Sequence, residues 1–215
     1  MAAYQKSDLF SDKNRNNPHM GFAAIVGSFL AAFTIAVLAW LFFNLPSHER
    51  FDSAFHLVDD EGRPFTEENL KGAPAIMSFG YTRCPEVCPT TLYEMAGWME
   101  ALGEDGSNLN AYFFTVDPER DDVKTVNAYA NAFSDRITGV TGELPEMRKM
   151  IDGWKLYARK VPNGNGGYSM AHSMDVLLVG SDGRLKGLIP YGTSNDVAVQ
   201  KVRQLLVDGE RRSEG

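Results

Sequence analysis

A run of 23 residues without a single charge, Gly21–Phe43 (GFAAIVGSFLAAFTIAVLAWLFF), limits what this 215-residue chain can be. About 20 apolar residues at about 1.5 Å of rise each cross the hydrocarbon core of a bilayer. The run is apolar all round, unlike a core helix with one buried stripe, and no second segment of its kind is available to pack against it. It is too long for the core of a cleavable signal peptide and ends in LFFNLP, without small residues at a cut site. The expectation is an uncleaved single transmembrane helix, with Trp40 at an interface. Lys6, Lys13 and Arg15 precede the run and only Arg50 follows it closely, which puts the N-terminus in the cytoplasm and the remainder outside. Residues 1–20 hold Asp8 and Asp12 and one arginine, so no mitochondrial transit peptide is apparent. In a bacterium this means the inner (cytoplasmic) membrane with the soluble part in the periplasm.

The chain then reads as a cytoplasmic tail (1–20), an anchor (21–43), a linker (44–52), one globular domain (53–210) and a short tail (211–215). The formal net charge is −7, and residues 47–215 carry −8 of it. An acidic domain lacks the Lys and Arg that neutralise phosphates, so nucleic acid is excluded as a partner. A metal cation or a basic protein surface suits it better.

The domain alternates buried runs with helical spacing. Strands are expected at Ala54–Val58, Pro74–Tyr81, Ala111–Val116, Arg136–Val140, Met174–Gly180 and Leu185–Ile189, with one short helical turn at Thr66–Leu70. Helices are expected at Cys84–Leu102, Asp121–Phe133 (capped by Asp121 and Asp122), Glu143–Val161 and Ser194–Val207, with a Gly/Asn-rich loop at Pro162–Tyr168. Alternating strands and helices imply parallel pairing through right-handed crossovers, and Ser181-Asp182-Gly183 implies a closing antiparallel hairpin. The expected fold class is α/β: a thioredoxin-like mixed sheet flanked by helices.

The chain has two cysteines, Cys84 and Cys88, placed where a buried strand gives way to a helix. Four-residue spacing on a helix would set both sulfurs on one face, and a helix N-terminus favours a thiolate. Such a pair is a redox couple or part of a metal site, because a disulfide closing so small a loop stabilises little. Thiolates select soft metals. Two sulfurs do not complete a four-ligand zinc site, whereas copper accepts fewer ligands. His172, in the loop before the Met174–Gly180 strand, is the candidate third ligand, with a solvated loop histidine as the alternative. Met170 and Met174 flank it and offer thioethers, although methionine is more often core filling. Asp117 ends a strand at the same sheet edge and could face the cysteines, while Asp121 and Asp122 read as a solvated turn and helix cap. His19, His48 and His56 read as structural or exposed.

Three stretches, FGYTRCPEVCPTTL (79–92), TVDPERDD (115–122) and YSMAHSMDVLLVGSDG (168–183), together resemble the Sco/SenC family. The resemblance covers residues 47–210. It implies a thioredoxin-like fold and one copper ion held by Cys84, Cys88 and His172. It also implies assembly of the copper centre of a haem–copper (cytochrome c) oxidase, whose copper-bearing subunit is the partner, with a copper donor and a thiol reductant as further partners. The chain departs from the family pattern at Ala171, where an acidic residue commonly precedes the histidine, and in Asp175-Val176-Leu177-Leu178, which lacks a common aromatic. Two other activities suit the fold. A thiol–disulfide oxidoreductase would use Cys84 to attack and Cys88 to resolve. A peroxidase would lean on Thr82-Arg83-Cys84.

Overall fold

The computed structural model describes residues 33–37, 40, 54–164 and 166–213. The chain divides into two compact units, Met1–Glu49 and Arg50–Gly215. In the first, residues 33–37 and 40 are helical and exposed. Among the described residues no helix is long and apolar enough to cross a membrane. The rest of the 21–43 segment, the tail before it and the 44–52 linker lie outside the described residues.

The second unit is built on a seven-stranded sheet. In chain order its elements are β1 (Leu57–Asp59), β2 (Pro64–Phe65), a 3-10 turn (Glu67–Leu70), β3 (Ala75–Gly80) and α1 (Val87–Leu102). After a second 3-10 turn (Gly103–Gly106) come β4 (Asn110–Thr115), α2 (Val123–Asn131), β5 (Ile137–Thr141) and α3 (Leu144–Gly153). An arm of two strands follows, β6 (Ala158–Pro162) and β7 (Tyr168–His172), then β8 (Val176–Val179), β9 (Leu185–Ile189) and α4 (Asn195–Ser213). The sheet order is β2-β1-β5-β4-β3-β8-β9, and β6-β7 forms a separate two-stranded sheet. As expected, β3, β4 and β5 are parallel, and β8-β9 is an antiparallel hairpin. This is the expected thioredoxin-like mixed sheet flanked by helices.

Strand periodicity builds two cores, because successive side chains point to opposite faces. Met77 and Phe79 of β3, Phe114 of β4 and Leu177 of β8 meet Met147, Met150 and Trp154 from α3 and its end. Ile76, Phe113 and Leu178 meet Leu92 and Met95 of α1, Val126 of α2 and Val202 of α4. Helices therefore cover both faces, and all but one residue each of β4 and β5, and the whole of β3, are buried.

Four expectations are corrected. The first strand spans Leu57–Asp59 and runs antiparallel to β5, not parallel in a βα series. The first helix begins at Val87, not Cys84. Pro85 disfavours helical geometry at the residue before it, and Pro89 is tolerated because the first helical N–H groups have no partner inside the helix. The second helix begins at Val123 with Asp122 as its cap, the Asp122 side chain accepting from the Thr125 N–H. Asp121 is buried instead.

The largest correction lies at 143–172. Instead of one helix to Val161 and a loop, α3 stops at Gly153 and the arm follows. Leu156 N–H donates to the Ile151 carbonyl and Lys155 N–H to the Asp152 carbonyl. Lys155 takes φ 53°. This is a Schellman stop with lysine where glycine is usual. The missing glycine hid the helix end from the sequence. His172 consequently ends strand β7 of the arm, rather than sitting in a loop before the last hairpin.

Candidate metal centre

The carboxyl edge of the sheet is where a site belongs in this fold class. At that edge β3 delivers Tyr81 to Cys88, β4 delivers Val116 to Asp121, and the arm delivers His172. Cys84 lies before α1, so the cysteines are not one turn apart on a helix. Its sulfur instead accepts the Cys88 N–H at 3.4 Å, filling the place of a helix cap. Cys88 is buried and Cys84 is half-buried.

The donor atoms of Cys84, Cys88 and His172 all lie within 4.8 Å of one another, and among the described residues this is the one such group. Cys88 Sγ and His172 Nε2 are 3.6 Å apart. The His172 Nδ1 lies 2.7 Å from the Ser173 carbonyl oxygen, which can only accept, so Nδ1 carries a proton. Nε2 is thereby left facing the sulfurs, the arrangement a metal-binding imidazole needs. A three-coordinate ion with bonds of about 2.0–2.3 Å spaces its donors about 3.5–4 Å apart. The 3.6 Å between Cys88 and His172 matches that spacing, and all three donors lie within 4.8 Å. Two sulfurs and one imidazole form a soft donor set that fits copper.

The two thiols are polarised in opposite directions. The Cys88 thiol, first, then the His172 ring and the N–H groups of Cys88 and Glu86, hold Cys84 down at about 3 against the cost of burial. The Cys84 sulfur, first, and burial push the Cys88 thiol up. In the reduced, metal-free protein Cys84 is therefore the thiolate. A depressed thiol pKa stabilises the fold above the unfolded value, and that contribution is lost as pH falls through the folded value. Iodoacetamide should alkylate one sulfur, Cys84, at a rate nearly constant from pH 8 to pH 5, because the thiolate is the nucleophile. A rate falling about tenfold per pH unit over that range would mark an ordinary thiol and contradict the assignment.

Two residues hold the cysteine loop. Gly80 brings the backbone against Cys88, since a Cβ there would lie 2.6 Å from Cys88 Sγ and 2.9 Å from the Phe113 ring. Gly80→Ala should displace the sulfur, so copper affinity drops at least about tenfold, by the scale of support-shell changes, while the fold is kept. Competition against a chromophoric chelator measures it, and an unchanged affinity would contradict the packing argument. A glycine inside a buried strand was a readable signal of such close approach. Asp121 had no such signal. It accepts from the Thr82 N–H (2.9 Å), the Thr82 hydroxyl (2.6 Å) and the Thr115 hydroxyl (2.6 Å), and the Thr141 hydroxyl donates to its carbonyl.

The other sequence candidates separate. Asp117 is buried but turned to Arg120 and to the Tyr168 hydroxyl, not to the sulfurs. Met170 packs into the core, and Met174 is exposed. Thr82 is spent on Asp121 and Arg83 is exposed, so the peroxidase grouping is not assembled. His56 is exposed, its N–H donating to Glu146. His19 and His48 lie outside the described residues. Ala171 sits opposite Arg159 within the arm.

The SCO1/SenC family model matches residues 44–207. The chain belongs to the SCO1/SenC family. It is 34% identical over 164 residues to a Stutzerimonas stutzeri protein named for copper binding, covering 76% of this chain and 80% of that one. It is 31% identical over 151 residues to the mitochondrial SCO1 protein of Saccharomyces cerevisiae, 69% of this chain and 51% of that one. The chain thus spans about half the length of the mitochondrial relatives it matches. Among solved structures it is similar to copper-bound ScoI of Bradyrhizobium japonicum, with a TM-score of 0.66 and 36% identity over 71% of this chain and 98% of that one.

Proposed function

We propose that this protein is a membrane-anchored copper carrier that binds one copper ion through Cys84, Cys88 and His172 and hands it to the copper centre of a haem–copper oxidase. The observation that carries the reading is the three-donor cluster at the sheet edge. A half-buried Cys84 and a half-buried His172 on an arm would let an incoming donor approach a bound ion. Family membership supports the oxidase as recipient, and the copper-bound state of a similar ScoI supports the cargo. The uncharged 21–43 segment and the basic residues before it support an anchor with the domain outside the cytoplasm. Mixing the copper-loaded protein with a copper-free oxidase subunit tests delivery. Appearance of that subunit's copper absorption is the expected result, and retention of copper by the carrier would contradict it.

A second reading is favoured by the placement of the two thiols: Cys84 is half-buried and its sulfur accepts the Cys88 N–H, which favours a thiolate there, while Cys88 is buried behind it. The Cys84 thiolate attacks one sulfur of a client disulfide and releases the other as a thiol. Cys88 then gives up its proton and attacks Cys84, which releases the client's second thiol and leaves a Cys84–Cys88 disulfide. The client is reduced by two electrons and this protein is oxidised by two. The readings are compatible, because a recipient site must be reduced before thiolates can take copper.

A further inference from the structure

The third ligand sits on the arm, and the arm is not a strand of the main sheet. Something other than strand pairing must therefore fix where His172 stands. Strand alternation places Tyr168, Met170 and His172 on one face of β7, turned toward the body of the domain. Each makes a different contact there. Met170 packs into the core, His172 meets Cys88, and Tyr168 meets the turn after β4.

That last contact is a clamp. The Tyr168 hydroxyl donates to Asp117 Oδ1 at 2.8 Å, and Asp117 is 1% exposed. The Arg120 guanidinium stacks on the Tyr168 ring with its carbon 3.7 Å from the ring centre, and its Nη1 donates to the Tyr168 carbonyl at 3.0 Å. Arg120 Nε pairs with Asp117 Oδ2, which locks the two halves of the clamp to each other. Lys160 of β6 approaches the same ring, its Nζ 4.6 Å from the centre, and pairs with Glu119. The first residue of β7 and the turn after β4 are thus joined by hydrogen bonds, an ion pair and a cation–π stack. Arg120 also reaches the Tyr81 ring at 5.8 Å, and that ring meets the His172 ring edge-on at 5.9 Å. A continuous set of contacts runs from the clamp to the ligand.

We propose that Tyr168, held by Asp117 and Arg120, is a positioning residue that sets how firmly His172 is presented to the two sulfurs. The proposal rests on the copper reading, with the clamp as the element that keeps the arm closed over the ion. Released, the arm swings His172 away and leaves a two-sulfur site, which holds copper less tightly. The clamp therefore governs how readily copper leaves.

The test is Cu(I) affinity by chelator competition in the reduced full-length protein for Tyr168→Ala and Tyr168→Phe, each made with and without His172→Ala. Tyr168→Ala should weaken binding about tenfold where His172 is present, the scale expected of a group that orients a ligand. Tyr168→Phe keeps the stack, loses the Asp117 bond, and should fall between. In the His172→Ala background neither change should matter further, because the arm then presents nothing. Equal loss in both backgrounds, or no loss in either, overturns the proposal. A readout without copper separates this from failure of the copper reading. In the metal-free protein, proton NMR should show the Tyr81–His172 ring contact in the parent and its loss in Tyr168→Ala. Persistence of that contact in the variant also overturns the proposal.

Discussion

Serine at Cys88 is expected to remove copper binding and to stop thiol exchange at the mixed disulfide, whereas alanine at His172 is expected to remove tight copper binding alone. Cys88 serves both chemistries. It is a ligand within 4.8 Å of the other two donors, and it is the thiol that must attack the Cys84 sulfur to release a client. His172 serves one. Its Nε2 faces the sulfurs and helps hold Cys84 as the thiolate, but it forms and breaks no bond in the exchange. The groups that merely orient a ligand are worth about 10–100-fold in affinity, so loss of a ligand should exceed about 100-fold. Chelator competition measures the copper side, and gel analysis of a trapped client disulfide measures the exchange side. Copper affinity unchanged in His172→Ala would remove the imidazole from the site. Full exchange in Cys88→Ser would remove the resolving role.

Asp121→Ala should be the most damaging single change outside the ligands. The side chain is fully buried and takes three hydrogen bonds from Thr82 and Thr115. Removing it leaves the buried Thr115 hydroxyl and the half-buried Thr82 donors without their acceptor at about 1–3 kcal/mol each, partly relieved where a hydroxyl can turn or water can reach Thr82. A net loss of about 3–4 kcal/mol follows, a large part of the about 5–15 kcal/mol that holds a domain together. Asp121→Asn is the control. Its oxygen can take the two bonds now on Oδ2, and its amide can donate to the Thr82 hydroxyl, so the loss should stay near about 1 kcal/mol. Denaturant unfolding of the reduced, metal-free domain measures both. An alanine variant within about 1 kcal/mol of the parent would show that the Tyr81–Cys84 loop is held by something else.

The parallel core was legible because β3 and β4 are mostly apolar runs bounded by turn residues, and the closing hairpin because Ser-Asp-Gly announces it. The cysteines were legible from spacing and context. Their geometry was not, since Pro85 moves the helix start past Cys84 and turns a presumed helical pair into a capped one. The arm was hidden for two reasons. Its strands ARKVP and YSMAH have no fully buried residue, so they lack the alternation that marks a strand on a core. The helix before it ends on Lys155 in a left-handed conformation, without the glycine that usually signals a stop. His172 was therefore picked as a ligand while its support was misplaced. Asp117 was expected to face the cysteines and Asp121 to be a solvated turn or cap, whereas both are buried, and the partners that hold them, Tyr168 and Thr82, lie 51 and 39 positions away.

If Cys84, Cys88 and His172 form one copper site, the ion must carry all three donors at once. Anaerobic Cu(I) titration of the reduced protein, followed by X-ray absorption at the copper edge, tests it most directly. One equivalent should bind tightly, with two sulfurs and one nitrogen around the ion. No stoichiometric binding, or a copper shell without the nitrogen donor, would contradict it.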